Sequence, residues 1–377
     1  MKLAKIFMFD WYKSLLKTVT LALVLFTFSL GLSGAWWNMD NSSSTRTSRL
    51  AQGNAIMDPE ALLRYALPID NQEIRNLQFS IEDISTQLRT KRWGVLTKDV
   101  KSAAAILNFG SKEILADVPE EKQSEAEALI SQMREEVSQL KDLASTKNRD
   151  KITEQTSEIL EQVTQLEELM VVGFPFEVPE DYASLPQLKG RATVEMTTEK
   201  GNLTMIVDGY SAPVNAGNFV DLVERGFYNG LTFTRSDEAF YIQTGDPPGE
   251  DVGFIDETGK YRSIPLEVLI KGDEEPIYEV TLEDYGIPLA DLALPFSSYG
   301  ALALAHPPSD PNGGSSQFFF FLFDRELTPP GYNLLDGRYS VFGYVVEGQD
   351  VLSQLRAGDQ INSVQVVAGG ENLVQPQ

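Results

Sequence analysis

The sequence predicts a two-domain α + β protein, in which an N-terminal antiparallel helical bundle precedes a closed antiparallel β-barrel with capping helices. Three observations predict it. From Ile74 to Met170 apolar residues recur at steps of three and four, the spacing of one buried helical face. From about Lys189 the step falls to two and the apolar runs shorten to strand length,. Between the two patterns, Phe174-Pro-Phe-Glu-Val-Pro179 breaks both, because the residue before a proline is pushed out of the helical region. A chain of 377 residues has room for two or three such units.

The first 35 residues read as an export signal. Lys2, Lys5, Lys13 and Lys17 flank an uncharged run from Val19 to Leu32, and Ser33-Gly34-Ala35 supplies small residues for a cut after Ala35,. The run is short for a bilayer span, so cleavage is favoured over retention as an anchor. Residues 36–57 are polar, with a Ser-Ser-Ser run, and read as a tether,.

Residues 58–172 read as the bundle. Asp70-Asn-Gln-Glu73 has capping-box spacing with Asp as the cap,. Behind it Ile74, Leu77, Ile81, Ile84 and Leu88 form one stripe. Val95, Leu96, Val100, Ala103, Ala104 and Leu107 form a second, ending near Gly110,. Pro119 suits a first helical position, ahead of Ala126, Ile130, Met133, Val137, Leu140 and Ala144. Ile152, Ile159, Val163, Leu166 and Met170 make the fourth. Four such helices with short polar turns pack as a bundle. None carries residues that suggest catalysis, so it reads as structural or as a docking unit.

Residues 173–188 form the proline-containing linker, and 189–377 the second domain. Ala192, Val194 and Met196 alternate with polar residues, Glu199-Lys-Gly-Asn202 turns the chain, and Leu203, Met205 and Val207 alternate again, as in a hairpin. Pro213 to Arg225 fits a helix closed by Gly226,. Further strand-like runs are Gly300–Ala305, Ser316–Leu322 and Tyr339–Val345. Many short strands with few helices are the pattern of a barrel.

Five ordered blocks in this half resemble the cyclophilin family. They are Val214-Asn-Ala-Gly-Asn-Phe-Val220 with Gly226-Phe-Tyr-Asn-Gly230; Phe233-Thr-Arg235 with Phe240-Tyr-Ile-Gln-Thr-Gly-Asp246; Gly300-Ala-Leu-Ala-Leu-Ala305; Asn312-Gly-Gly-Ser-Ser-Gln317-Phe-Phe319; and Leu334-Leu-Asp-Gly-Arg-Tyr339-Ser-Val-Phe-Gly343. The layout of signal, acidic bundle and cyclophilin-like half resembles the thylakoid-lumen cyclophilins of cyanobacteria and chloroplasts, and this resemblance alone favours a thylakoid lumen over a periplasm as the compartment. The resemblance implies a peptidyl-prolyl cis-trans isomerase without cofactor or metal, acting on proline-containing segments of exported or lumenal proteins. It also implies a role in photosystem II assembly and maintenance, with photosystem II subunits as partners.

The same resemblance implies the site. Arg235 is the donor aimed at the twisted amide, Gln243 orients it, and Phe240 completes the catalytic set. Phe233, Phe319 and Leu335 match the apolar proline socket, and Ala305, His306 and Gln317 the neighbouring groove. Leu334, Tyr241 and Tyr339 stand where the family often has Trp, Met and His. These exchanges narrow the socket and remove an indole donor, which bears on rate and cyclosporin binding more than on fold. They leave a second reading open: an assembly module, weakly catalytic or not catalytic, that holds partners through barrel groove and bundle. An intramolecular bundle–barrel contact that lowers activity is expected.

Composition narrows the alternatives. With 31 Lys plus Arg against 55 Asp plus Glu the net charge is -24, unsuited to nucleic acid, whose binding needs cations against phosphates. An acidic surface also fits a soluble monomer. Cysteine is absent and His306 is the single histidine. Thiol nucleophiles, zinc-thiolate sites and multi-histidine metal sites are thereby excluded. The segment 249–298 is an acidic insertion, read as a solvated loop, a partner surface or a gate.

Overall fold

The computed structural model describes residues 56–237, 240–249, 252–322 and 333–376. The expected signal and nearly all of the tether lie outside them. Among the described residues no helix is long and apolar enough to cross a membrane.

The four striped segments form helices, and a shorter one precedes them. Helix α1 (Pro59–Ala66) starts at Asp58, whose carboxylate accepts from the Glu60 and Ala61 amides, with Pro59 at the first helical position. Helix α2 (Gln72–Arg89) is capped by Asn71 rather than Asp70: the Asn71 side chain accepts from the Ile74 amide. Its amide also donates to Asp117 and to the Glu113 carbonyl, so the cap ties two loops together, which an aspartate cannot do.

Helix α3 (Trp93–Ala105) ends sooner than its stripe suggests. A π-helical turn, Ile106–Gly110, follows it, then α4 (Ser111–Leu115). Pro119 caps a 3₁₀ turn ahead of α5 (Gln123–Thr146), and α6 (Arg149–Met170) returns. The predicted stripes meet in one core, with Ile74, Leu77, Ile81, Leu96, Met133, Leu140, Ile159 and Leu166 fully buried.

The second half holds β1 (Gln187–Leu188), β2 (Arg191–Thr198), β3 (Gly201–Asp208), helix α7 (Pro213–Glu224), β4 (Arg235–Asp237), β5 (Tyr241–Thr244), β6 (Glu267–Val268) and β7 (Ile277–Tyr278). It continues with β8 (Ala301–Leu304), β9 (Phe318–Phe321), β10 (Val341–Glu347), the short α8 (Gln349–Leu352), β11 (Ile361–Ala368) and β12 (Leu373–Val374). Eight strands form one antiparallel sheet in the order β11-β2-β3-β10-β8-β9-β5-β4.

The sheet is a curled half-barrel rather than the continuous closed barrel expected. Its edge strands β11 and β4 do not ladder with each other. The segments ahead of them touch through the Thr232–Gln360 bridge and a few backbone bonds, including Phe233 N to Asp359 O at 3.0 Å.

The concave face packs on α7, with Phe219, Phe318, Phe320 and Phe342 in mutual ring contact. The N-terminus of α7 is satisfied from a distance. The buried Glu267 carboxylate accepts from the Val214 and Asn215 amides and from Asn215 Nδ2. Gly343 sits where β10 presses on β3, since a Cβ there would lie 2.4 Å from the Ile206 carbonyl oxygen.

The convex face carries a second cluster. Ala301, Ala303, Phe319, Phe321, Val341 and Tyr344 line it, with Leu294 and Phe296 from the insertion. Leu62 and Leu63 of α1 complete it, so α1 spans bundle and sheet. Arg191 of β2 secures the contact by donating to the Leu63 carbonyl and pairing with Glu168 and Asp208.

On its bundle side α1 is held by buried charge. Arg64, 1% exposed, pairs with Glu82 at 3.1 Å and donates to Thr164. Arg75 pairs with the buried Glu167 at 3.1 Å and donates to the Arg64 and Leu67 carbonyls. Burial pushes the Glu167 carboxyl up to about 8, against the pull of Arg75. Unfolded, the group ionises near 4.5. Between those values the folded chain keeps a proton that the unfolded chain has lost, so this group's contribution to stability falls as pH rises.

Glu167→Gln is therefore expected to remove a downward slope. The stability difference between variant and parent should move in the variant's favour by up to about 1.4 kcal/mol per pH unit. Urea unfolding from pH 5 to pH 8 checks it; a constant difference would contradict it.

Candidate functional site

Strand register sets which side chains share the convex face. Arg235 of β4 lies opposite Gln243 of β5, Gln243 opposite Phe319 of β9, and Phe319 opposite Ala303 of β8. Directly opposed residues point to the same side of a sheet. Phe319 and Ala303 belong to the convex cluster, so Gln243 and Arg235 stand on that face. The next row brings Tyr241 opposite Phe321, on the same side.

Phe319 is the floor of this face. It is 5% exposed, stacked on Phe296 with ring centroids 6.0 Å apart, and met edge-on by Tyr339 at 5.3 Å and Tyr241 at 5.8 Å. Ala305 and Leu335 pack on the same cluster, half-buried. Burial raises the Tyr339 hydroxyl above its ordinary range, so the wall it forms stays neutral.

A chain of amides borders the floor. Gln243 donates to Gln317 at 2.6 Å, and Gln317 donates to Asp246 at 2.9 Å and to the Val252 carbonyl at 2.8 Å. Gly245 makes this possible: it has φ +90°, and a Cβ there would lie 2.3 Å from the Ser316 carbonyl oxygen. Arg235 is exposed beside Gln243. His306 stacks on Tyr339 at 4.4 Å.

Two expected residues lie elsewhere. Phe233 is buried in the concave core against Phe320. Strand alternation would put it beside Arg235, but β4 begins only at Arg235, and the backbone at Phe233 bonds instead to the far edge through Asp359. Leu334 is 70% exposed, turned to solvent while Leu335 packs inward. Phe240 lies between them in character, on the turn between β4 and β5 and 48% exposed.

Several residues at the site were not singled out in advance. Asp336 holds the turn that presents Leu335 and Tyr339, accepting from the Phe296 amide at 2.8 Å and the Asn333 amide at 3.0 Å. Burial pushes its carboxyl up to about 6. Phe296 stacks on Phe319, and Asp246 anchors Gln317. Asn333 and Asp336, three apart and flanking a Leu-Leu pair, were the readable signal of a tight turn. Phe296 gave none, because its place depends on the path of the whole insertion. That insertion is built rather than loose: Leu266, Val268, Ile270, Leu282 and Leu292 form a core of their own.

Chemically the arrangement offers a dry aromatic floor, a row of amide donors and acceptors, and a permanently charged guanidinium at its edge. It suits a segment with one apolar ring and an amide to be polarised.

Comparison with known proteins agrees with this chemistry. Residues 193–369 match the family model described as cyclophilin type peptidyl-prolyl cis-trans isomerase. Residues 58–171 match the PsbQ-like domain of CYP38-like peptidyl-prolyl cis-trans isomerases. The chain is 55% identical over 355 residues to a Synechocystis protein named as a thylakoid lumen peptidyl-prolyl cis-trans isomerase, covering 94% of both chains. It is 44% identical over 341 residues to the chloroplastic peptidyl-prolyl cis-trans isomerase CYP38 of Arabidopsis thaliana, covering 87% of this chain and 78% of that one.

The packing separates floor from rim. Phe319→Ala is expected to cost about 3–5 kcal/mol of stability, whereas Leu334→Ala should stay within about 0.5 kcal/mol. Denaturant midpoints of the two variants decide this, and equal losses would contradict the assignment.

Proposed function

Because the chain belongs to the cyclophilin-type peptidyl-prolyl cis-trans isomerases, we propose that the convex face is its substrate groove and Arg235 the catalytic donor. The observation that carries this is the register row Arg235–Gln243–Phe319. It supports the reading by bringing an arginine, a glutamine amide and an apolar floor into one cross-strand row. An Xaa-Pro bond resists rotation by roughly 20 kcal/mol because its amide is conjugated. Phe319, Tyr241, Tyr339 and Leu335 bury the proline ring, and Ala305, His306 and Gln317 border the residues before it. Conjugation is lost as the bond twists, so charge returns to the proline nitrogen. The Arg235 guanidinium then interacts more strongly than in the ground state, and Gln243 holds its orientation.

The substrates under this reading are proline-containing segments of proteins exported to the thylakoid lumen, photosystem II subunits among them. The names of the two relatives support the compartment. The resemblance of the whole layout to lumenal cyclophilins supports the role in photosystem II assembly and maintenance.

NMR exchange of an Ala-Pro peptide tests it. The parent chain should accelerate exchange, and Arg235→Ala should lower kcat/KM by about 10²–10³-fold. Equal rates with both proteins would remove Arg235 from the mechanism.

One observation favours a second, overlapping reading, in which the groove serves assembly and turns over slowly. Leu62 and Leu63 of α1 belong to the apolar cluster that includes Phe319, and on this reading the docked helix restrains the groove through that cluster. Leu62→Ser with Leu63→Ser in the full chain should then raise kcat/KM several-fold. Unchanged activity, with α1 shown released by proteolysis, would count against this restraint.

A further inference from the structure

His306 is held in a way its neutral form cannot satisfy. Its Nδ1 lies 2.9 Å from the Pro307 carbonyl oxygen and its Nε2 lies 2.9 Å from the Arg338 carbonyl oxygen. A carbonyl oxygen only accepts. A neutral imidazole has one N–H, whereas imidazolium has two. In the neutral ring one of these contacts would set lone pair against lone pair. The ring also lies over Tyr339, centroids 4.4 Å apart and planes at 26°, a placement that favours a cation.

The two carbonyls belong to separate segments. Pro307 follows β8, and Arg338 lies on the turn that presents Leu335 and Tyr339. Among the described residues, charged and titratable groups stand around this corner on three segments. On the facing turn are Tyr339 and Arg338, whose guanidinium pairs with Glu283 of the insertion. Glu279, also of the insertion, accepts from Tyr182. On the loop of His306 itself, Asp310 accepts from the Asn312 amide.

We propose that His306 is a positioning residue: as imidazolium it clamps the loop after β8 to the Leu335–Tyr339 turn, holding the Tyr339 wall in place for substrate. Loss of either ring proton breaks one of the two contacts, so the groove is fixed while the ring is charged and slackens once it is neutral. The clamp acts through Tyr339 and therefore shows in KM rather than in kcat. This rests on reading the convex face as the substrate groove.

The test uses the full chain, in which a single histidine gives one unambiguous imidazole signal. ¹⁵N–¹H spectra from pH 5 to pH 8 should show both ring nitrogens protonated at pH 5, and the Tyr339 ring signals should shift as one proton leaves. In the Ala-Pro exchange assay, KM of the parent should rise about three- to fivefold over that range, the effect of one hydrogen bond. His306→Asn, which cannot change charge, should show a flat profile. A neutral ring at pH 5, or the same pH profile in both proteins, overturns the inference. No acceleration by either protein would instead overturn the isomerase reading. The inference is then decided by peptide affinity in the same titrations, where equal pH dependence in both proteins also overturns it.

Discussion

Four consecutive phenylalanines supply both apolar clusters of the sheet. Phe318 and Phe320 enter the concave core, and Phe319 and Phe321 enter the convex cluster. Side chains of a strand alternate, so a slip of one residue in β9 would exchange the two sets. It would turn Phe319 away from Gln243 and Arg235. All four residues are Phe, so a slip would still leave an aromatic ring on each face; the register is fixed instead by the residues that end the run, Gln317 through its bond from Gln243 and Leu322 through the Phe240 carbonyl. The register that makes the row Arg235–Gln243–Phe319 is therefore held by the residues that flank the run. In β10 the same two faces are served through a bulge. Val341 and Tyr344 face outward while Phe342 and Val345 face inward, and the register shifts between Val341 and Gly343.

Helix α1 carries this constraint into the bundle. It has eight residues, too few to be stable on propensity alone. Its position comes from what lies on either side. Leu62 and Leu63 sit in the sheet's cluster, while Arg64, fully buried, reaches Glu82 and Thr164 of the bundle. Buried ion pairs add little net stability over apolar packing, but breaking one leaves a charge unpaired at a cost of several kcal/mol. The network therefore acts against alternative placements of α1 more than it adds to stability. Lys271 over the Tyr65 ring at 5.1 Å brings the insertion to the same helix, and Ser297 bonded to the Ile56 carbonyl brings it to the segment just before it.

What the sequence revealed follows from how local each determinant is. The four long helices were legible because their stripes repeat over many turns. The β2–β3 hairpin was legible from alternation on both sides of a turn. Phe319 on one face with Phe318 and Phe320 on the other followed from period two alone. Helix α1 was missed because eight residues hold only two turns of pattern. Asp70 was taken as the cap because it fits the spacing. Asn71 is the cap because its amide can also donate to Asp117 and Glu113, a demand visible only in three dimensions. Phe233 was assigned to the socket by the family resemblance, and it lies in the opposite core because the backbone there leaves β4 for the opposite edge. Curvature and the incomplete meeting of β4 and β11 are set by the whole sheet, which no single segment encodes.

The departures at Tyr241 and Tyr339 can now be weighed by position. Both meet Phe319 edge-on, and both keep their rings on the apolar floor. An edge-to-face contact adds about 0.5–1.5 kcal/mol beyond the area it buries, so these rings stiffen the floor as well as narrowing it. Leu334 has the opposite effect: exposed, it leaves that rim without either a ring or a donor. The floor gains rigidity, and the rim loses a ring and a donor. On the reading proposed above, such a site loses substrate affinity at the rim before it loses transition-state stabilisation at Arg235, because Arg235 and Gln243 sit on a separate strand pair. Weak binding with the chemical step preserved is the kinetic signature that this division of labour requires, and it is distinct from that of a groove whose arginine has been displaced.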